Sequence, residues 1–430
     1  RRQRQMCIRD RRWSDQGCAQ MFAHTRKPLC LIEALKRRAT RPARMPRRGR
    51  ASFVPRHGGP WQEVEVSEEN KERGQQEPRS APVFVATSQP EAMPWGQDSL
   101  SRRDALERAA PKEADTTSVA SDVPPIKQLA LRRTSVLRSQ WSKMVALDWS
   151  QDSQHILTAS QDGYMIVWNA EEGYKVQAMK LPVLWVLCCA YSPSGRLVAS
   201  GGLDNACTLY NMAERKKPYD VPMAKRLLRH KDYISACRFA SDHELWTASG
   251  DGTVMQWDVQ SDQVVSTLDA KQGDVLCLQM SPTDPHTLLT GGTSALVHMW
   301  DKRTAGIVRT FEGHRADVNA LDFFPDGSAF ATACEDSLCR LFDVRTGSEL
   351  LSLDRPPPRS AATAVAFSSS GRLLFSGYDT HKMCVWDTLR GERISMLHAG
   401  HTHMAYLGRS PDGRFVASAG WDGKTIVWGI

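Results

Sequence analysis

The chain has 430 residues, a net charge of +8, and 41% hydrophobic and 8% aromatic residues. That is ample for a sizeable core, yet no apolar run approaches the roughly 18 residues that would suggest a membrane helix. Residues 1–130 hold 25 Lys+Arg against 16 Asp+Glu and residues 131–430 hold 31 against 32, so the near-neutral larger part gives no reason to expect a nucleic-acid partner.

The first fifty residues carry 16 Lys+Arg and 3 Asp+Glu and open RRQRQMCIRDRRW without a Met; Met6 and Met21 are candidate starts. A nucleic-acid or lipid arm and an organelle transit peptide are the functional readings of such a stretch. Prolines interrupt any helix and the Ser-rich pattern of a transit peptide is lacking, so we read a disordered tail, with a gene-model artefact as its alternative origin. Residues 51–125 are rich in Pro, Glu, Gln and Ser and read as disordered. Only 104–110 could form two helical turns, too short to stand alone. The expected domains are therefore 1–125, a disordered extension, and 126–430, a folded unit.

Leu129–Leu137, LALRRTSVL, reads as a strand, and 133–138 is the expected closing strand of a ring. Its Arg132-Arg133-Thr134-Ser135 also resembles a basophilic kinase site. From there a unit repeats. Gly313–Asp343 shows it complete: Gly-His, an alternating apolar run, a Pro-Asp-Gly turn, a second short strand, an acidic turn, and a third strand closing on Phe-Asp. The closing aromatic returns at Trp168, Tyr210, Trp257, Trp300, Phe342, Trp386 and Trp428, 42 to 47 residues apart. A period of about 40–45 with a Trp-Asp ending is the WD40 signature, four strands per propeller blade. The expected fold is all-β, a seven-bladed WD40 β-propeller.

A second marker repeats in register. Asp162, Asp204, Asp251, Asp336 and Asp422 lie six residues before their closing aromatic, and Asp379 seven before. Thr158, Ser200, Thr247, Thr332 and Ser418 stand four residues before the first five of these, and His230, His314 and His401 occupy the Gly-His place. Such His–Asp–Ser/Thr sets satisfy buried polar groups and read as structural pegs. A hydrolytic triad is a single site, so recurrence excludes that reading. The fourth blade has Ala270-Lys271 and Ser294 at the His and Asp places and is expected to be the least stable. Eight cysteines lie in the repeat region (188, 189, 207, 237, 277, 334, 339 and 384) without a Cys-x-x-Cys, which reads as buried reduced thiol in a cytosolic protein. No phosphate loop, dinucleotide fingerprint or metal spacing occurs, so neither enzyme nor cofactor nor metal is expected.

The runs WVLCCAYSPSG, GGLDN, DVNALDFFPDG, CRLFDVR, SGRLLFSGYD and GWDGKTIVW resemble the heterotrimeric G-protein beta subunit, over about residues 133–430. ASGDGT at 248–253 leans toward the subtype that pairs with RGS proteins. The resemblance implies a non-catalytic scaffold that binds the GDP-bound alpha subunit, effectors, and a gamma subunit or gamma-like RGS domain. It implies a cytoplasmic location, peripheral to the plasma membrane through partners. It also implies a contact face at Lys143, Trp185, Leu187, Leu203, Asn205, Tyr233, Asp274, Asp317, Asn319 and Trp421. The aromatics there would anchor the partner, and the charges would set register. Trp185, Leu203, Tyr233, Asp274, Asp317 and Trp421 should then be exposed on one side. Departures from the family pattern include Leu187 for Met, Val145 for an aromatic, and His403 for Arg. Residues 85–125 show no equivalent of the family's gamma-binding helix. The alternative reading is a generic WD40 adaptor for an unrelated protein or peptide.

Overall fold

The computed structural model describes residues 123–126, 129, 131–138, 142–214, 221–271, 273–354 and 360–429. Nearly all of the expected disordered extension, and the 104–110 helical turns, lie outside these residues.

Seven four-stranded antiparallel sheets make the ring. Blade 1 is β2 (Met144–Trp149), β3 (His155–Ser160), β4 (Tyr164–Asn169) and β5 (Lys175–Lys180). Blade 2 is β6 (Val186–Tyr191), β7 (Leu197–Gly202), β8 (Ala206–Asn211) and β9 (Met223–Leu228). Blade 3 is β10 (Ile234–Phe239), β11 (Glu244–Ser249), β12 (Thr253–Asp258) and β13 (Gln263–Asp269). Blade 4 is β14 (Val275–Met280), β15 (Thr287–Gly292), β16 (Val297–Asp301) and β17 (Gly306–Phe311). Blade 5 is β18 (Val318–Phe323), β19 (Ala329–Cys334), β20 (Leu338–Asp343) and β21 (Glu349–Asp354). Blade 6 is β22 (Ala362–Phe367), β23 (Leu373–Tyr378), β24 (Lys382–Asp387) and β25 (Glu392–His398). Blade 7 joins β26 (Met404–Arg409), β27 (Phe415–Gly420) and β28 (Lys424–Gly429) to β1 (Arg132–Arg138), which pairs antiparallel with β28 and closes the ring.

Position in the blade explains the residue pattern. The second strands are covered on both faces: every residue of AFATAC in β19 and LLFSGY in β23 is buried. They therefore read as continuous small and apolar runs. Outer strands have one covered face and alternate, as in QVVSTLD of β13. The turn after β18 needs Gly327, whose φ of 74° is readily adopted only without a Cβ. The core sits between blades. One cluster joins Leu157, Met165 and Val167 of blade 1 to Val186, Tyr191 and Tyr210 of blade 2, and similar clusters recur around the ring. No helix among the described residues is long and apolar enough to cross a membrane.

Candidate protein-binding face

The pegs form as a graded set. In blade 3, His230 Nδ1 lies 3.0 Å from Asp251 Oδ2 and Nε2 lies 2.8 Å from Thr247 Oγ1, which accepts from Trp257 Nε1 at 2.8 Å. Blade 7 repeats this with His401, Asp422, Ser418 and Trp428 at 2.9, 3.0 and 3.0 Å. The indole N–H thus donates to the hydroxyl in both blades. Blade 5 closes on Phe342, which has no N–H; His314 bonds Thr332 at 2.6 Å, and Arg340 joins by donating to Asp336 at 2.7 Å.

The other blades depart from the full set. Asp204 takes Arg226 at 2.7 Å instead of a histidine. Asp162 accepts from Ser160 Oγ and from Tyr164 N. Asp379 is exposed. In blade 4 the tryptophan tie survives, Trp300 Nε1 donating to Thr290 at 2.8 Å, while His298 fills the interior and contacts Thr310 at 3.1 Å.

Burial pushes the Asp251 and Asp336 carboxyls up, but their histidine, hydroxyl, arginine and backbone donors outweigh it, and both end well below the ordinary carboxylate range. His314, Cys334 and Asp336 offer ligand atoms within 4.8 Å of one another. The Arg340 guanidinium contacts both His314 and Asp336 and already supplies the positive charge there. Burial pushes the Cys334 thiol up, away from a metal-binding thiolate.

The expected contact residues come together at one end of the ring through a seven-fold backbone motif. The residue just before each first strand accepts, through its carbonyl, an N–H from just after the second strand. The pairs are Lys143 with Gln161, Trp185 with Leu203, Tyr233 with Gly250, Asp274 with Thr293, Asp317 with Glu335, Ala361 with Asp379, and His403 with Trp421, all at 2.9–3.0 Å. The backbone repeats while the side chains differ, so the motif displays a varied rim on a rigid frame.

Exposure on that rim is not uniform. Trp185, Leu203, Asn205, Asp274, Lys143 and Trp421 are partly exposed. Tyr233 is not: it is 1% exposed, and its hydroxyl donates to Asp274 Oδ2 at 2.7 Å. A Cβ at Gly250 would collide with the Tyr233 ring, so glycine there lets the ring turn inward. Asp317 is 7% exposed. These two do not present the open surface expected of them. Leu187 and Asn319, the second residues of their strands, are half-buried, and Asn319 Nδ2 donates to Ala362 O of the next blade at 2.8 Å. Asn205 likewise ties blade 2 to Lys231 O at 3.1 Å.

The rim's tightest aromatic group joins blades 7 and 1. Lys143 Nζ lies 4.0 Å from the Trp421 ring centroid, and the His403 ring lies 3.9 Å from it, tilted 31°. Burial lowers the His403 pKa to about 4, and the Lys143 charge adds to the shift, so the imidazole is neutral at physiological pH. A partly exposed indole in contact with both a cation and a neutral ring is held in one orientation.

Sequence reasoning missed a polar belt facing the axis. It uses the fifth residue of the first strand: Asp148, Arg238, Gln279 and Asp322. Asp322 accepts from Phe367 N at 2.8 Å and Gln279 Nε2 at 3.1 Å. Gln279 Oε1 accepts from Arg238 Nε at 3.3 Å, and Arg238 donates across the ring to the Tyr406 hydroxyl. Asp148 accepts from Tyr191 N at 2.7 Å. Burial raises the Asp148 and Asp322 pKa values; the backbone donors and Arg238 oppose it, as does Arg409 at Asp322. The available signal was a charge inside otherwise apolar strands, as in ISACRF.

Comparison with known proteins agrees with this architecture. A family model described as "G protein beta WD-40 repeat protein" matches residues 95–429. The chain is 39% identical over 318 residues to "Guanine nucleotide-binding protein subunit beta-5b" of Danio rerio, covering 74% of this chain and 80% of that protein. It is 39% identical over 310 residues to "Guanine nucleotide-binding protein subunit beta" of Oryza sativa subsp. japonica, covering 68% and 82%. The Arabidopsis thaliana protein of the same name is 38% identical over 309 residues. The chain belongs to the G protein beta WD-40 repeat family.

Proposed function

We propose that this chain is a beta subunit of a heterotrimeric G protein, a non-catalytic scaffold whose rim binds the GDP-bound alpha subunit and, in turn, effectors. The observation that carries the reading is the rim itself. One backbone motif, seven times repeated, presents chemically different side chains at one end, centred on Trp421 between Lys143 and His403. The partly exposed members of the rim, among them Lys143, Trp185, Asp274 and Trp421, are the aromatic and charged types that protein-binding surfaces use.

Partners would hold the protein peripherally at the inner face of the plasma membrane. A gamma subunit or gamma-like RGS domain would be the second partner. The ASGDGT run at 248–253 is the feature that keeps the RGS alternative open.

The test is capture of the purified full chain by immobilised GDP-bound alpha subunit, with Trp421→Ala as the comparison. Capture that depends on Trp421 supports the reading. Equal capture of both proteins would remove Trp421 from the contact, and no capture of a folded chain points to an adaptor for another partner.

A further inference from the structure

The closing strand carries a motif that scaffold function leaves unused. Arg132 and Arg133 stand three and two residues before Ser135. In β1 both arginines and Thr134 are exposed, and Ser135 is half-buried. The strand is extended, lies at the blade edge, and has β28 as its one ladder partner. The ladder register breaks between Arg133 and Ser135, which leaves Thr134 out of the pairing and bends the strand beside Ser135. Both arginines are exposed, with Arg133 lying 5.5 Å from the Trp428 ring centroid, and an extended edge bearing exposed arginines is the form in which an acidic kinase groove takes a substrate.

The acceptor hydroxyl sits at a structural joint. Ser135 Oγ donates to Ala170 O at 2.8 Å and so ties the strand that closes blade 7 to the β4–β5 turn of blade 1. That turn lies directly on it: a Cβ placed on Gly173 would be 3.6 Å from Ser135 Cβ. The turn also carries two exposed acids, Glu171 and Glu172.

We propose that Ser135 is a phosphoacceptor for an arginine-directed Ser/Thr kinase, and that the phosphate loosens closure of the ring. Ser135 Oγ attacks the γ-phosphorus of ATP. A bond forms from Oγ to phosphorus, the bond from that phosphorus to the β–γ bridging oxygen breaks, ADP leaves, and the hydroxyl proton passes to the kinase's base. The product has lost the donor that bonded Ala170 O. It places about two negative charges against a carbonyl and beside Glu171 and Glu172, in a space filled by the turn. Either the turn or β1 must move, and β1 is held by one strand.

The experiment incubates the native full chain with ATP and an arginine-directed kinase catalytic subunit, then maps phosphate by mass spectrometry. Parallel reactions use Ser135→Ala, Arg132→Gln/Arg133→Gln, and heat-unfolded chain. Hydrogen exchange of the β1 and β28 amides is followed before and after phosphorylation. The expected result is phosphate on Ser135 of the native chain, its loss in both variants, and faster exchange confined to β1, β28 and the 169–174 turn. Phosphate on Thr134 alone, phosphate only after unfolding, or a phosphorylated chain with unchanged exchange would each overturn the proposal. Because the site is mapped on the unmodified sequence, misfolding of a variant does not remove the test.

Discussion

The Tyr233 hydroxyl donates to Asp274 Oδ2 at 2.7 Å, joining blades 3 and 4 beneath the rim. The pair uses a residue that the family resemblance places among the surface contacts to hold two blades together. Burial and the Asp274 bond push the phenol pKa far above its ordinary value, so it stays a donor at every physiological pH.

Tyr233→Phe should cost little, while Tyr233→Ala should lose about 3–5 kcal/mol through the cavity it leaves. Asp274→Ala strands a buried hydroxyl and should cost about 1–3 kcal/mol. Urea unfolding of the three variants checks this. A Tyr233→Ala protein as stable as the parent would mean that the ring is a surface anchor after all.

Acid should unfold the ring through its pegs. Asp251, Asp336 and Asp422 have folded pKa values below the ordinary 3.8. Their contribution is therefore fully present above about pH 4 and is lost as pH falls through the folded values. Asp148 and Asp322, raised by burial, act in the opposite sense: they favour the folded state at low pH and lose that contribution as pH rises through their folded values. Unfolding midpoints of the parent and Asp251→Asn between pH 7 and 2 should converge as pH falls. A difference that grows toward low pH would contradict the account.

Arg238 sits between acids on the axis and reaches Tyr406 on the other side of the ring. Removing one partner of a buried charge set is strongly destabilising, so Arg238→Met should cost about 3–5 kcal/mol. Denaturant unfolding measures it, and a change near zero would show that water already serves these acids.

Blade 4 has neither the histidine nor the aspartate peg, and its interior His298 has Nε2 without a hydrogen-bond partner among the described residues. Its amides should exchange with solvent faster than those of blades 3 and 5. Slower or equal exchange by mass spectrometry would mean that the Trp300–Thr290 tie suffices.

Much of the ring was legible because its signals are local. Closing aromatics, Pro-Asp-Gly turns and acidic turns each sit within one blade, and their spacing alone places seven blades. The face was legible only in part. Trp421 and Lys143 come from blades 7 and 1, and their stacking depends on ring closure, which no local pattern encodes. Tyr233 turns inward because Gly250, 17 residues on, leaves it room. The axial bond from Arg238 to Tyr406 spans 168 residues and has no periodic mark at all. Arg226 replacing histidine at Asp204 was hidden for a simpler reason: it lies on the outer strand, which carries no repeated residue.

The most direct measurement of the central claim is the affinity of the full chain for a purified alpha subunit in its GDP and GTP-analogue forms, with and without gamma. Trp421→Ala, checked for folding, serves as the control. The account predicts binding of the GDP form, weaker binding of the GTP-analogue form, and a loss of about 2 kcal/mol or more, at least roughly thirty-fold, on removing the Trp421 anchor. A folded chain that binds neither form under any condition, or binds equally well without Trp421, would contradict it.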